Sequence, residues 1–244
     1  MKLWKYFVKY FPQRLVKTAD LPPISNYIFC TFPHGIMCSG AFAQFAFDTS
    51  DFAKQYPGLT ITCHTLNTNF YIPFSRDYEA LLYQLNKPCG RAVNLVVGGS
   101  AEAMKSKPGI YRVVLKNRKG FIKLALITGT PLVPIYIFGE VDLYDQNIFP
   151  ESSFVYKCQQ AVRKLTGVAP CWFRGEGLFG ILPKRVPVTT VIGRPIPVQK
   201  TLNPTSEEID KLHKIFIRDL VALFDEYKYQ YIANPDTSFL SVED

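Results

Sequence analysis

The sequence predicts a single α/β domain built on a mixed, largely parallel sheet flanked by helices. Three observations carry that expectation. Short β-branched or aromatic runs bounded by Gly or Pro alternate with helical patterns, as in a sheet whose crossovers are helices. The strand candidates are apolar almost throughout rather than alternating, so both faces of the sheet are covered. The chain has 244 residues, 48% hydrophobic and 14% aromatic, which suits one large core and excludes a disordered chain.

Residues 1–20 read as a basic aromatic interfacial helix ahead of a domain over 21–244. Leu3, Trp4, Phe7, Val8 and Phe11 recur at helical spacing with Lys2, Lys5 and Lys9 between them, a pattern suited to a membrane interface. A helix docked on its own core with a solvated lysine face fits the same letters. The lysines interrupt any signal-peptide core. Strands are expected at Tyr27–Thr31, Leu59–Cys63, Val93–Val97, Leu132–Phe138 and Val188–Ile192. Helices are expected at Ile36–Phe47, Glu79–Asn86, Arg118–Thr128, Phe154–Leu165 and Glu207–Tyr231. Ser206 is the candidate cap of the last helix, and His213 falls on its polar side.

The stretch from Leu21 to Phe47 has no charged residue. It nevertheless contains Pro22, Pro23, Pro33, His34, Gly35 and Gly40, too many breakers for a lipid-exposed span. Six cysteines stand without a C-x-x-C pair, so neither a zinc site nor a disulfide framework is expected and a reducing environment is. Net charge is +8 and unevenly spread. Residues 103–139 hold seven bases and no acid, whereas the tail from Ser206 is acidic. A basic centre suits an anionic partner. Nucleic acid is disfavoured, because no recognition module accompanies the charge.

Three places can carry chemistry. His34 follows a strand, on a Pro-His-Gly turn at the head of an apolar helix, where α/β sheets bind ligands. A neutral imidazole there can take a proton from a hydroxyl; a structural histidine in a turn fits the position too. His64, after a strand, reads as a core or loop residue. No G-x-S-x-G occurs, so a serine nucleophile is disfavoured. The second place is Val97-Gly98-Gly99-Ser100-Ala101-Glu102, where glycines free backbone N–H groups beside a carboxylate. The third is Asn117-Arg118-Lys119-Gly120-Phe121-Ile122-Lys123, where bases at a helix start oppose its dipole unless an anion binds.

Taken together these motifs resemble the family of type-2 diacylglycerol, 2-monoacylglycerol and acyl-CoA wax alcohol acyltransferases, along almost the whole chain. NYIFCTFPHGIMCSGAF, VVGGSAEAM, NRKGFIKLALITGTPLVPIYIFGE and LFGILPKRVPVTTVIGRPIPVQKTLNPT carry the likeness in order. The resemblance implies a glycerolipid acyltransferase-like fold. It implies transfer of a fatty acyl group from acyl-CoA to the hydroxyl of a monoacylglycerol or diacylglycerol, with acyl-CoA as co-substrate and no permanently bound cofactor or metal. The expected location is the cytosolic face of the endoplasmic reticulum membrane, or the lipid droplet; the partners are acyl-CoA, an acylglycerol or long-chain alcohol, and the membrane surface, with a homo-oligomer left open. The His-Pro-His-Gly motif maps to Phe32, Pro33, His34 and Gly35, the Gly-Gly-x-x-Glu motif to Gly98, Gly99 and Glu102, and the Arg-x-Gly-Phe motif to Arg118, Lys119, Gly120 and Phe121.

The implied roles are these. His34 is the general base, and Glu102 orients it or the acceptor. Phe32, Pro33, Gly35, Gly98, Gly99, Arg118, Lys119, Gly120 and Lys123 bind substrate. Phe32 replaces the first histidine, and three further departures stand out: this chain starts after the membrane hairpin that opens family sequences, it passes from Arg76-Asp77-Tyr78 almost directly to Glu79-Ala80-Leu81 where the family has further residues, and it has Arg174-Gly175-Glu176-Gly177 where the family has Gly-Arg-Gly or Ala-Arg-Gly. A wax alcohol acyltransferase, or a truncated lipid-binding relative with impaired catalysis, would carry the same motifs.

Overall fold

Strand-forming runs are placed where β-branched and aromatic side chains can pack on a pleated surface buried on both sides. In a computed structural model describing residue 10 and residues 12–45, 51–64 and 89–244, six strands form the main sheet. They are β1 (Gln13–Lys17), β2 (Tyr27–Phe32), β3 (Thr60–His64), β4 (Arg91–Val96), β6 (Leu132–Phe138) and β9 (Val188–Ile192), in the order β1-β9-β6-β2-β4-β3. All neighbours run parallel except β6 and β9, so the sheet is mixed and largely parallel, as expected. Two short pairs lie outside it: β5 (Arg112–Val114) with β10 (Ser241–Glu243), and β7 (Asp145–Gln146) with β8 (Phe173–Arg174).

The period-2 alternation of strands sorts each one between two cores. In β2, Ile28, Cys30 and Phe32 face one side while Tyr27 and Phe29 face the other. The first core is closed by α4 (Gly120–Thr128) and α6 (Ser206–Tyr231), the second by α1 (Ser39–Phe45) and α2 (Asp51–Gln55). Helix α6 buries Leu212, Phe216, Leu220, Leu223 and Phe224 at helical spacing. Phe224 meets Tyr136 at 5.0 Å and stacks on Phe138 at 5.7 Å, centroid to centroid. The remaining helices are α3 (Gly99–Ala103) and α5 (Phe154–Thr166).

Several expectations need correction. The helix read over residues 1–20 does not extend past Pro12, because Gln13–Lys17 pairs with β9; residues 1–9 and 11 lie outside the described residues. The cap of α6 is Thr205, not Ser206. Thr205 Oγ1 accepts from Glu208 N–H at 3.2 Å and Glu208 Oε2 accepts from Thr205 N–H at 2.8 Å, a reciprocal pairing that requires three-residue spacing. His213 is not a surface residue. It is 4% exposed, three residues before Phe216 on the buried stripe, with Nε2 3.0 Å from the Leu115 carbonyl. The helix Glu79–Asn86, the segment after Tyr78 and the His64 side chain lie outside the described residues.

The α6–sheet contact bears much of the core. Phe224→Ala should destabilise the protein by about 3–5 kcal/mol, measured as a lowered urea midpoint with an unchanged slope.

Candidate active site

Because β2, β4 and β6 are parallel neighbours, their carboxyl ends meet at one edge of the sheet. Three turns leave that edge: Pro33-His34-Gly35 after β2, Gly98-Gly99 after β4, and Gly139-Glu140 after β6. Such an edge is the usual ligand site of an open α/β sheet.

Two buried carboxylates hold these turns. Glu102, on α3, is 1% exposed. Its Oε1 accepts from the His34 main-chain N–H and its Oε2 accepts from Val114 N–H at 2.8 Å. Glu140 is 2% exposed and accepts from Ser39 N–H at 2.8 Å and Gly40 N–H at 2.7 Å. It thereby satisfies two of the N–H groups that open α1. Burial pushes both carboxyls up to about 7, against the pull of the N–H donors.

The glycines are steric requirements. A Cβ on Gly98 would lie 2.0 Å from Glu102 Oε2, and one on Gly35, whose φ is +60°, would lie 2.7 Å from Glu140 Oε1. Gly139 takes φ +86° and passes Pro187 O so closely that a Cβ would stand 2.1 Å from it. Gly99, with φ +59°, has open space beside it.

The His34 imidazole lies half-buried at this edge. Burial pulls its pKa below the ordinary 6.5, the main-chain hydrogen bonds opposing, so the ring is neutral at pH 7. Nδ1 is 3.2 Å from the Gly35 carbonyl. With the proton assigned to Nδ1 to satisfy that carbonyl, Nε2 keeps its lone pair. Glu102 therefore anchors the histidine by its backbone; the imidazole's own bond goes to Gly35. Both Glu102 oxygens are engaged and the side chain is sealed, so its contact with the His34 turn is through the main chain alone. Cys30 and Cys38 are poor nucleophiles, because burial drives both thiols well up.

The expected binding residues divide. Gly35, Gly98 and Gly99 sit with His34 at the sheet edge. Pro33 is buried, and the Phe32 ring is fully buried in the core, 6.2 Å from Phe216. The residue in place of the family's first histidine thus faces inward rather than toward a ligand. Arg118 is exposed, and its charge pulls Glu102 downward. Lys119 stands at the N-cap position of α4 without a side-chain cap bond and pairs with Asp210 at 2.6 Å. Gly120 and Lys123 are exposed at the start of α4. The chain's acidic tail also meets the basic centre: Lys105 and Arg112 lie 2.8 and 3.7 Å from Glu243.

Sequence reasoning missed Glu140; its signal was an acid two residues after a seven-residue apolar strand. A cavity of about 190 Å³ lined by Lys17, Asp20 and Tyr56 lies at the opposite edge of the sheet, away from His34. Among the described residues no three His, Cys, Asp or Glu side chains are placed to hold a metal.

Both carboxyls are raised above an unfolded value near 4.5. Between that value and about 7 the folded state binds more protons than the unfolded one. Stability should therefore fall as pH rises through this window. Glu140→Gln should flatten the fall, read from urea midpoints at pH 4.5, 6 and 8.

A family model described as "Diacylglycerol acyltransferase" matches residues 1–241. Diacylglycerol O-acyltransferase 2 of Danio rerio is 43% identical over 255 residues, covering 98% of this chain and 71% of that one. 2-acylglycerol O-acyltransferase 3 of Homo sapiens is 42% identical, covering 93% and 71%. Acyl-CoA wax alcohol acyltransferase 2 of Mus musculus is 42% identical, covering 94% and 74%. Among solved structures, the 1-acyl-sn-glycerophosphate acyltransferase PlsC of Thermotoga maritima aligns with a TM-score of 0.45 and 13% identity, over 94% of this chain and 81% of that one. At this identity with the curated relatives, and with the family model matching residues 1–241 of 244, the chain belongs to the diacylglycerol acyltransferase family of O-acyltransferases.

Proposed function

We propose that the protein transfers a fatty acyl group from acyl-CoA to the hydroxyl of a monoacylglycerol or diacylglycerol, with His34 as general base. The observation that carries this reading is an imidazole at the carboxyl end of the parallel strands, its turn held by buried Glu102 and the helix that follows it by buried Glu140. His34 Nε2 takes the proton as the acceptor oxygen attacks the thioester carbonyl. The new C–O bond forms, the C–S bond breaks, and the imidazolium returns its proton to the departing CoA thiolate. General-base catalysis of this kind supplies about 10²–10⁴-fold.

The rest of the site supports the same chemistry. The open space at Gly99 leaves room for a carbonyl oxygen near the backbone of the Gly98–Gly99 turn, where N–H groups are suited to a developing negative charge. Exposed Arg118 and Lys123 suit the phosphates of CoA, whereas Lys119 is already engaged by Asp210. The endoplasmic reticulum membrane and the lipid droplet are where such acceptors and products reside.

The test is acyl transfer from radiolabelled acyl-CoA to a panel of monoacylglycerol, diacylglycerol and long-chain alcohol. His34→Ala should lower turnover by about 10²–10⁴-fold without altering the melting temperature. Equal turnover would remove His34 as the base, a preference for the alcohol would make the protein a wax alcohol acyltransferase, and no transfer by the wild type would leave a lipid-binding relative. Because burial lowers the His34 pKa below 6.5, the acid limb of kcat/KM should fall below pH 6.5. Arg118→Ala combined with Lys123→Ala should raise KM for acyl-CoA while leaving KM for the acceptor unchanged.

A further inference from the structure

Helix α5 presents its faces in reverse. It is well formed: the Ser153 hydroxyl accepts from Tyr156 N–H and Gly167, at φ +75°, closes its end. At 3.6 residues per turn Phe154, Cys158, Val162 and Leu165 fall on one stripe. That stripe points outward, with Phe154 80% and Leu165 88% exposed. The polar side is the half-buried one, where Gln159 Nε2 donates to the Pro170 carbonyl at 2.7 Å. No residue of the helix is buried. Exposed Lys157 and Lys164 stand beside the apolar stripe.

The chain that follows repeats the pattern. Trp172 is 66% exposed, and the turn before β9 holds Leu178 and Phe179 at 94% and 82%. This excursion is tied to the reacting edge through Tyr144, whose hydroxyl donates to the Ile181 carbonyl at 3.2 Å and lies 3.5 Å from Met37 Sδ, three residues after His34. Helix α5 itself, Phe154–Thr166, carries three bases and no acid.

We propose that the excursion between β6 and β9, led by the outward face of α5, is where the protein docks on an anionic lipid surface. An apolar stripe flanked by lysines is the composition that seats a helix in a headgroup boundary. Charge complementarity selects the lipid: a twofold contact between copies would bring this basic face against itself. Docking deepens the acyl-transfer reading, on which its consequence rests, because it sets the His34 edge beside the phase in which acylglycerols dissolve.

The test uses the full chain and vesicles of phosphatidylcholine with or without phosphatidylserine. The chain has two tryptophans, so Trp4→Phe leaves Trp172 as a local reporter. Its emission should shift to the blue on adding phosphatidylserine vesicles. In co-sedimentation, Phe154→Asp and Leu165→Asp should each weaken binding about tenfold, and Lys157→Gln and Lys164→Gln about fivefold each on anionic vesicles only. Circular dichroism melts confirm that these exposed substitutions leave the fold intact. An unshifted Trp172, or unchanged binding by the aspartate variants, would overturn the proposal. So would a lipid-free dimer that Leu165→Asp dissociates, since a second copy would then be the occupant. Vesicle binding by a wild type that transfers no acyl group would contradict the enzymatic reading and leave the docking face standing.

Discussion

The site depends on carboxylates that bind backbone. Glu102 and Glu140 are sealed from solvent and give all four of their oxygens to main-chain N–H groups. A buried ionised carboxyl is costly unless it is hydrogen-bonded, and a buried N–H without an acceptor is costly as well. Each group therefore resolves the other's penalty. The outcome is geometric: Glu102 joins the His34 turn to β5, and Glu140 joins the start of α1 to the end of β6. The glycines at 35 and 98 follow from this arrangement, because any side chain there would collide with the carboxylates. Orientation of the imidazole is then left to a local bond with Gly35, and burial keeps the ring neutral.

Charge outside the site is arranged in two ways. Part of the acid-free run is met by the acidic C-terminal segment, through Glu243 and Asp210, while Arg118 and Lys123 remain exposed. The bases of α5, by contrast, border apolar side chains that face outward. The first arrangement suits a small phosphate-rich ligand and the second an extended lipid surface. Tyr144, touching both Met37 and the Ile181 carbonyl, links the two regions. Among the described residues no helix is long and apolar enough to cross a membrane.

What could be read from the sequence followed the strength of the local signal. The strands Leu132–Phe138 and Val188–Ile192 agree with expectation to the residue, because each is a continuous buried run. The place of His34 was legible because the Pro-His-Gly turn follows such a run, which sets it at the carboxyl end of β2. Strand β1 was not: it buries only Leu15 and does not alternate, and it follows a run with lysines at helical spacing. Glu140 was silent because one acid after a strand looks like a loop residue until its partners, about 100 positions earlier, are seen. His213 misled because helix periodicity places it beside the buried stripe without saying that Leu115 and Phe121 cover it. The reversal of α5 was invisible, since periodicity finds an apolar face but not the direction in which it points.

The central claim is that His34 is a neutral base with its free lone pair on Nε2. With only three histidines in the chain, nitrogen-15 histidine NMR can observe it directly, the signal being assigned by its loss in His34→Gln. The account predicts a resonance of the Nδ1-protonated tautomer that titrates below pH 6.5. An Nε2-protonated ring, or a ring still charged at pH 7, would contradict it.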